Sequence, residues 1–357
     1  MGIKIDSKGL RRVLEETPPE QNIMLTGKHG IGKSRILENY FEETGKKVIT
    51  LFLGQMSDPG DLIGLPYKDE KTGKTDFMPP YWWPHDGNAL VLFLDELNRA
   101  RPEVLQTVMD LTLNRRLAGK SLPDGSRIIS AVNAGDEYQL TDLDPVLVSR
   151  FNIYDFNPSV DEWLLWAQEN KLDNRVIDFI AHDPEMLDGK ALKKEDMGLE
   201  KTPDRRAWER VSKIIYGKKK LENYHKIIIA GVVGMPASSS FIAFCADKKM
   251  LSAHEVLSIN FSNIEKDLSS YSVPDLASLN ESLFRYLETN ELKDDKKKLA
   301  ATNLCEYFDL LQKTKKREAM AHFANLYSDG KYKNAIAFVI TECTSLLTKI
   351  TLFIRDI

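Results

Sequence analysis

The first half of the chain alternates short apolar runs with stretches whose apolar residues recur at every third or fourth position. "NIMLTG" (22–27) predicts a strand, and residues 33–43 predict a helix carrying Ile36, Leu37, Tyr40 and Phe41 at helical spacing. "KVITLFLG" (47–54), "ALVLFLDE" (89–96) and "RIISAVNA" (127–134) predict three further strands. These runs are continuously apolar rather than alternating, which is the pattern of parallel strands covered on both faces. Strands interleaved with helices predict a doubly wound α/β sheet. After about Pro158 the strand pattern stops. "DEWLLWAQEN", "NRVIDFIAH", "PDRRAWERVSKIIYG" and "NYHKIIIAGVVGMPASSSFIAF" predict four helices, forming a small all-α domain. From about residue 246 a further helical region follows, with Leu276, Leu279, Leu283 and Leu287 at helical spacing. The run "KDDKKK" (293–298) reads as a solvated connector. The expected division is therefore an α/β domain over 1–157, an all-α domain over 158–245 and a C-terminal helical region over 246–357.

Composition narrows this picture. A chain of 357 residues exceeds one ordinary core, and 42% hydrophobic with 29% charged residues is the balance of a globular protein. A net charge of −4 argues against a generally basic nucleic-acid binder. Cys245, Cys305 and Cys343 lie far apart with no CxxC, and read as buried thiols in a reducing compartment. The N-terminus has no apolar signal-like core, and no apolar run approaches the roughly 20 residues that span a bilayer. The expectation is a cytoplasmic protein with no membrane segment.

The candidate chemistry starts at Gly27-Lys28-His29-Gly30-Ile31-Gly32-Lys33-Ser34, which matches G-x-x-x-x-G-K-[ST] at every fixed position. The match lies between a strand and a helix, as a phosphate cradle requires. Glycines let the loop wrap phosphates without a Cβ collision, and the loop N–H groups and helix N-terminus point at the anion. Lys33 would reach the β- and γ-phosphates of ATP, and the Ser34 hydroxyl would sit on Mg²⁺. Gly27, His29, Gly30, Ile31, Gly32, Lys33, Ser34 and the following Arg35 make up the expected cradle. The third strand ends in Asp95-Glu96, at the sheet edge where a parallel-sheet ligand lies. Asp95 would hold the Mg²⁺ through water, and Glu96 would take the proton of the attacking water. Such a pair after a strand also reads as a helix N-cap signal. The acidic pair is expected on the strand adjacent to the loop's own. Asn133, ending the fourth strand, either orients the lytic water or γ-phosphate, or forms a turn before Ala134-Gly135-Asp136.

These residues resemble the AAA+ ATPases and, within them, the MoxR-like branch. The resemblance runs through "TGKHGIGKS", "LFLDELNRARPEVLQTVMDL", "LPDGSRIISAVNAGDEY", "LDPVLVSRF" and "TPDRRAWERVS", over about residues 20–245. It implies a P-loop αβα core, an α-helical lid over 158–245, and a homo-oligomeric ring, usually a hexamer. Asn133 would be the sensor-1 residue, and Arg150 of "SRF" the arginine finger reaching the neighbouring subunit's nucleotide. Arg206 would be the sensor-2 arginine, with Arg205 a competitor because this chain reads Thr202-Pro203-Asp204-Arg205-Arg206 where the family has Ser/Thr-Pro-Arg. Asn98-Arg99 also fits the branch, without an assigned role, and Gln55 would couple partner binding to Glu96. Residues 61–84 read as a hairpin turning at Lys71-Thr72-Gly73-Lys74, set within the second helix, and residues 115–127 as a second hairpin. In such ATPases these loops face the pore or the partner. Tyr81-Trp82-Trp83 reads either as an interaction surface or as core, and Arg115, Arg116 and Lys120 either as a nucleic-acid track or as a solvated face.

The function implied is a motor that couples ATP hydrolysis to remodelling or activating a partner protein, typically one with a von Willebrand factor A domain. The alternative is a nucleic-acid motor such as a helicase, loader or restriction translocase, against which stand the acidic charge and the lack of a nucleic-acid module. A nucleotide-gated scaffold is disfavoured by Glu96 and Arg150. A GTPase is disfavoured by the lack of an N-K-x-D motif.

Overall fold

Continuous apolar runs need cover on two sides, and the first half of the chain supplies it. The computed structural model describes residues 2–84, 87–133, 143–189, 201–218, 220–247 and 251–355. It divides into two units, Met1–Ser159 and Val160–Ile357.

The first unit runs β1 (Ile3–Ile5), α1 (Ser7–Glu16), β2 (Asn22–Gly27), α2 (Lys33–Glu43), β3 (Val48–Phe52), α3 (Gly60–Ile63), β4 (Leu65–Lys68) and β5 (Thr75–Met78). It continues through β6 (Val91–Asp95), α4 (Pro102–Asn114), β7 (Arg116–Leu117), β8 (Lys120–Ser121), β9 (Arg127–Asn133), α5 (Pro145–Val148) and β10 (Phe151–Phe156). Six strands form one parallel sheet in the order β1-β10-β2-β9-β6-β3. Alternate residues of each strand face opposite layers. Ile23, Leu25, Val91, Phe93 and Ile129 pack on Leu10 and Leu14 of α1 and on Leu37 and Phe41 of α2. Met24, Leu92, Leu94 and Ile128 pack on Val104, Val108 and Leu111 of α4. The result is an αβα sandwich, as the sequence predicts.

Two strands escape the sequence pattern. β1 has three residues at the sheet edge, with Ile3 exposed, and β10 is buried only at its ends, Phe151 and Phe156. Neither shows the continuous apolar run of a central strand. Strand order corrects a second expectation. β9 lies between β2 and β6, so the acidic pair is one strand removed from the phosphate loop's strand.

The two hairpins form, β4 with β5 and β7 with β8. The first follows the four-residue α3 rather than interrupting a long helix. Lys120 of the second donates to the Phe77 carbonyl of the first, tying the hairpins together. Trp82 and Trp83 are core residues, whereas Tyr81 is exposed. The basic hairpin residues are spent locally: Arg115 on the Glu20 and Ser126 carbonyls and Arg116 on the Ser121 hydroxyl.

The second unit is helical. α6 (Val160–Glu169), α7 (Asn174–His182), α8 (Arg205–Ile215), α9 (Asn223–Val233) and α10 (Met235–Asp247) surround Phe179, Trp208 and Phe241. The fourth expected helix is two, broken at Gly234. Its φ is +86°, and a Cβ there would stand 2.1 Å from the Lys201 carbonyl oxygen. α11 (Ala253–Ser258), α12 (Glu265–Ser269), α13 (Val273–Thr289), α14 (Asp294–Lys313), α15 (Arg317–Ser328), α16 (Lys333–Glu342) and α17 (Thr344–Arg355) share a second core. It holds Leu276, Leu279, Leu283 and Leu287 of α13, with Tyr307, Phe308 and Phe323. The run "KDDKKK" is not a connector: it opens α14, whose buried face begins only at Ala300 and Ala301. The cysteines also depart from expectation. Cys245 and Cys305 are half-buried, and Cys305 and Cys343, far apart in sequence, lie in one apolar cluster. Among the described residues no single helix is long and apolar enough to cross a membrane.

Candidate nucleotide-binding site

Parallel strands deliver their C-terminal ends to one edge, and here three of them meet, two of them ending in polar side chains. Gly27 ending β2 is paired in register with Asn133 ending β9, and β6 beside β9 ends at Asp95. Between β2 and α2 the chain makes the glycine loop. Gly27 is required by close approach, since a Cβ would meet the Phe156 carbonyl oxygen at 2.7 Å and Ile31 at 2.9 Å. Gly32, at φ +95°, is the left-handed residue that starts α2. His29 and Arg35 are exposed on the loop and the first turn of α2, while Ile31 is half-buried against the core.

Lys33, the first residue of α2, is 6% exposed. Its ammonium donates to the carbonyl oxygens of Gly27 and Lys28, each at 2.9 Å, and to Asn133 Oδ1 at 3.0 Å. Burial lowers its pKa to about 8, opposed in part by the charges of Asp95 and Glu96. A buried cation satisfied only by neutral oxygens and distant carboxylates favours an anion arriving beside it. Asn133, itself buried, is held by its neighbours: its side-chain oxygen accepts from Lys33, and its carbonyl accepts from Asn98 Nδ2 at 3.2 Å. The sequence left Asn98 without a role; its side chain, 1% exposed, ties the end of β9 to the turn after β6.

The Ser34 hydroxyl donates to Asp95 Oδ2 at 3.2 Å, and Asp95 Oδ1 accepts from the Glu96 amide at 2.9 Å. A hydroxyl and a carboxylate side by side are the hard-oxygen donors that magnesium takes, with waters and phosphate oxygens completing the shell. Glu96 has φ +56°, a conformation non-glycine residues rarely adopt unless the surroundings enforce it. The pair therefore is not the N-cap of a regular helix: a three-residue 3₁₀ turn follows, and α4 begins at Pro102. Glu96 Oε1 accepts from Arg99 Nη1 at 2.8 Å. Gly54, beside the exposed Gln55, lies against Glu96 Oε2 and Arg99 Cβ. Nothing in the sequence alone distinguished Gly54 from other turn glycines.

Arg150 stands elsewhere. The next residue, Phe151, pairs with Asn22 at the start of β2, so Arg150 lies at the opposite sheet edge from Gly27. That is roughly 16 Å along the strand at about 3.3 Å per residue. Its guanidinium donates to the Val146 carbonyl, and its Nε is buried without a partner. In the second unit, Arg205 is buried and forms a two-pronged pair with Asp188, Nε to Oδ1 at 3.0 Å and Nη2 to Oδ2 at 2.9 Å. Arg206, next to it on α8, is exposed. The Ala134-Gly135-Asp136 turn lies outside the described residues.

Residues 22–151 match the AAA domain (dynein-related subfamily). A Thauera aromatica protein named "Putative chaperone BssE" is 29% identical over 161 residues, 42% of this chain; the match spans 55% of that relative's length. Among solved structures, Brucella abortus NtrX in complex with ADP aligns at 14% identity and TM-score 0.38, covering 97% of this chain and 68% of that one. The Thermotoga maritima RuvB Holliday junction branch migration motor aligns at 15% identity and TM-score 0.32, covering 70% and 68%. Residues 22–151 thus match a AAA domain of the dynein-related subfamily, and the glycine loop, the acidic pair and Asn133 lie at one edge of its parallel sheet. This agrees with the MoxR-like resemblance.

One outcome follows from Lys33. Phosphate binding needs its charged form, which the free protein holds below about pH 8 and loses above it. ATP affinity, measured calorimetrically at fixed magnesium and ionic strength, is expected to fall about tenfold between pH 7 and pH 9. In Lys33→Met this step is absent; an equal step in that variant would show that another group titrates.

Proposed function

We propose that this protein is a MoxR-like ATPase that assembles into a ring and couples magnesium-dependent ATP hydrolysis to reshaping or activating a partner protein. The observation that carries the reading is the buried Lys33 ammonium held by three neutral oxygens beside the Ser34–Asp95 pair. Lys33 exchanges the Gly27 and Lys28 carbonyls for phosphate oxygens, a charge-assisted contact. Ser34 and Asp95 would hold magnesium, which when bound neutralises charge on the β- and γ-oxygens. Asn133 orients the γ-phosphate or the attacking water, and Glu96 takes that water's proton once it leaves Arg99. His29, Gly30, Ile31 and Arg35 complete the nucleotide's surroundings.

The position of Arg150 supports a finger acting on the next subunit. At the far edge of its own sheet it cannot serve its own Lys33 site. The orphaned Nε and the single backbone acceptor leave the guanidinium capacity for a further anion. Of the two candidate sensor-2 arginines, Arg206 is the better supported, because Arg205 is committed to Asp188. Residues 158–245 act as the lid and 246–357 as an added helical module. The Thauera relative's name supports a chaperone-like role; a hexameric ring and a partner with a von Willebrand factor A domain follow from the MoxR-like kinship, and the expected setting is cytoplasmic. The local pairing of Arg115 and Arg116 favours a protein partner over nucleic acid.

Glu96→Gln should retain ATP binding while steady-state phosphate release falls by about 10²-fold or more; wild-type release would remove Glu96 as the base. Arg150→Ala and Lys33→Ala should each be inactive alone and recover activity when mixed, and failure at every mixing ratio would contradict a shared site. Arg99→Ala should raise basal turnover by no more than about fivefold, the ceiling for releasing a partly exposed ion pair. A fall in turnover would show instead that Arg99 assists the reaction.

A further inference from the structure

Two cysteines that are 38 positions apart in sequence belong to one apolar cluster of the second unit. Cys305 lies within α14, and Cys343 immediately precedes α17. The Cys305 sulfur is half-buried and sits at the N-terminal end of α17. There it is 3.4 Å from Ser345 Oγ and hydrogen-bonded to the Leu346 backbone. Lys349, one turn further along α17, is paired with Asp309 and adds its charge near the same sulfur. Cys343 is buried and directs its S–H towards the Ala301 carbonyl at 3.8 Å, one turn of α14 before Cys305. A helix N-terminus, a hydroxyl and an ammonium all favour a thiolate, and the two contacts, Cys305 with Ser345 and Cys343 with Ala301, bring the second thiol to the same junction.

We propose that Cys305 and Cys343 form a reactive dithiol, a site of reversible oxidation by peroxide in which Cys305 attacks and Cys343 resolves. The Cys305 thiolate attacks one peroxide oxygen, the O–O bond breaks, and hydroxide leaves and is protonated to water. Cys305 is then a sulfenic acid. The Cys343 sulfur attacks it, forming the S–S bond and expelling a second hydroxide, which takes the Cys343 proton. The sum is two thiols and one hydrogen peroxide giving one disulfide and two waters. The bond would staple α14 to the junction of α16 and α17, and a thiol reductant would reverse it.

The third cysteine is an internal control. The Cys305 thiol is drawn down to about 6, first by the hydrogen bond from Cys343, and the Cys343 thiol is pushed up by the same contact. Burial pushes the Cys245 thiol up to about 12. Cys305 is thus the more readily ionised thiol and Cys245 the less.

The test uses the reduced full-length chain. Under native conditions, peptide mapping after limited iodoacetamide treatment should show Cys305 alkylated ~100-fold or more faster than Cys245. After treatment with hydrogen peroxide, non-reducing digestion should yield one cross-linked peptide joining Cys305 to Cys343, abolished by dithiothreitol. In Cys343→Ser, peroxide should leave Cys305 as a sulfenic acid captured by dimedone. Equal alkylation of Cys305 and Cys245, or peroxide treatment that leaves Cys305 and Cys343 unlinked in the wild-type chain, would overturn the proposal. Both readouts are made on the wild-type protein, so the outcome does not depend on a variant folding.

Discussion

The site rests on one buried ammonium. Lys33 lies at the start of a helix whose N-terminus already favours negative charge, on the edge of a sheet whose strands end in polar side chains. It is surrounded by oxygens that satisfy its hydrogens without neutralising it: two loop carbonyls and one amide. A charge withdrawn from water in this way costs several kcal/mol unless compensated. A triphosphate offers that compensation. The glycine loop, the register of β2 with β9, and the Asn98 tether that fixes Asn133 all serve to hold those oxygens around the ammonium.

The same sheet explains the separation of roles. Residues at the C-terminal ends of β2, β9 and β6 converge at one edge, whereas Arg150, preceding β10, is delivered to the other. A parallel sheet cannot bring both to one site within a single chain. The proposed assistance by an arginine from a second chain rests on strand direction as much as on resemblance. Glu96 adds a restraint. Its left-handed backbone and its ion pair with Arg99 hold the carboxylate in place, so the proposed base is restrained until that contact loosens.

Much of this was legible in the sequence because the strongest patterns belong to the central strands. β2, β6 and β9 are covered on both faces, so their composition is unmistakable, and the residues that end them are the chemical ones. The edge elements were not legible. Three-residue β1 lacks an apolar run because an edge strand needs cover on less of its surface, and β10, paired between β1 and β2, is buried only at its two ends. Strand order was missed for a different reason: the insertion of β9 between β2 and β6 is a matter of tertiary pairing that no local pattern encodes. "KDDKKK" misled because a helix's exposed first turn has the composition of a linker. Gly54 and Asn98 act through close contact with residues distant in sequence, and the nearness of Cys305 to Cys343 depends on how α14, α16 and α17 pack.

The most direct test of the account is a structure of the chain with magnesium and a non-hydrolysable ATP analogue. Lys33 Nζ is expected to leave the Gly27 and Lys28 carbonyls for β- and γ-phosphate oxygens, with the ion held between the Ser34 hydroxyl and the Asp95 carboxylate. A nucleotide bound elsewhere, or bound here while Lys33 keeps its three present contacts, would contradict it.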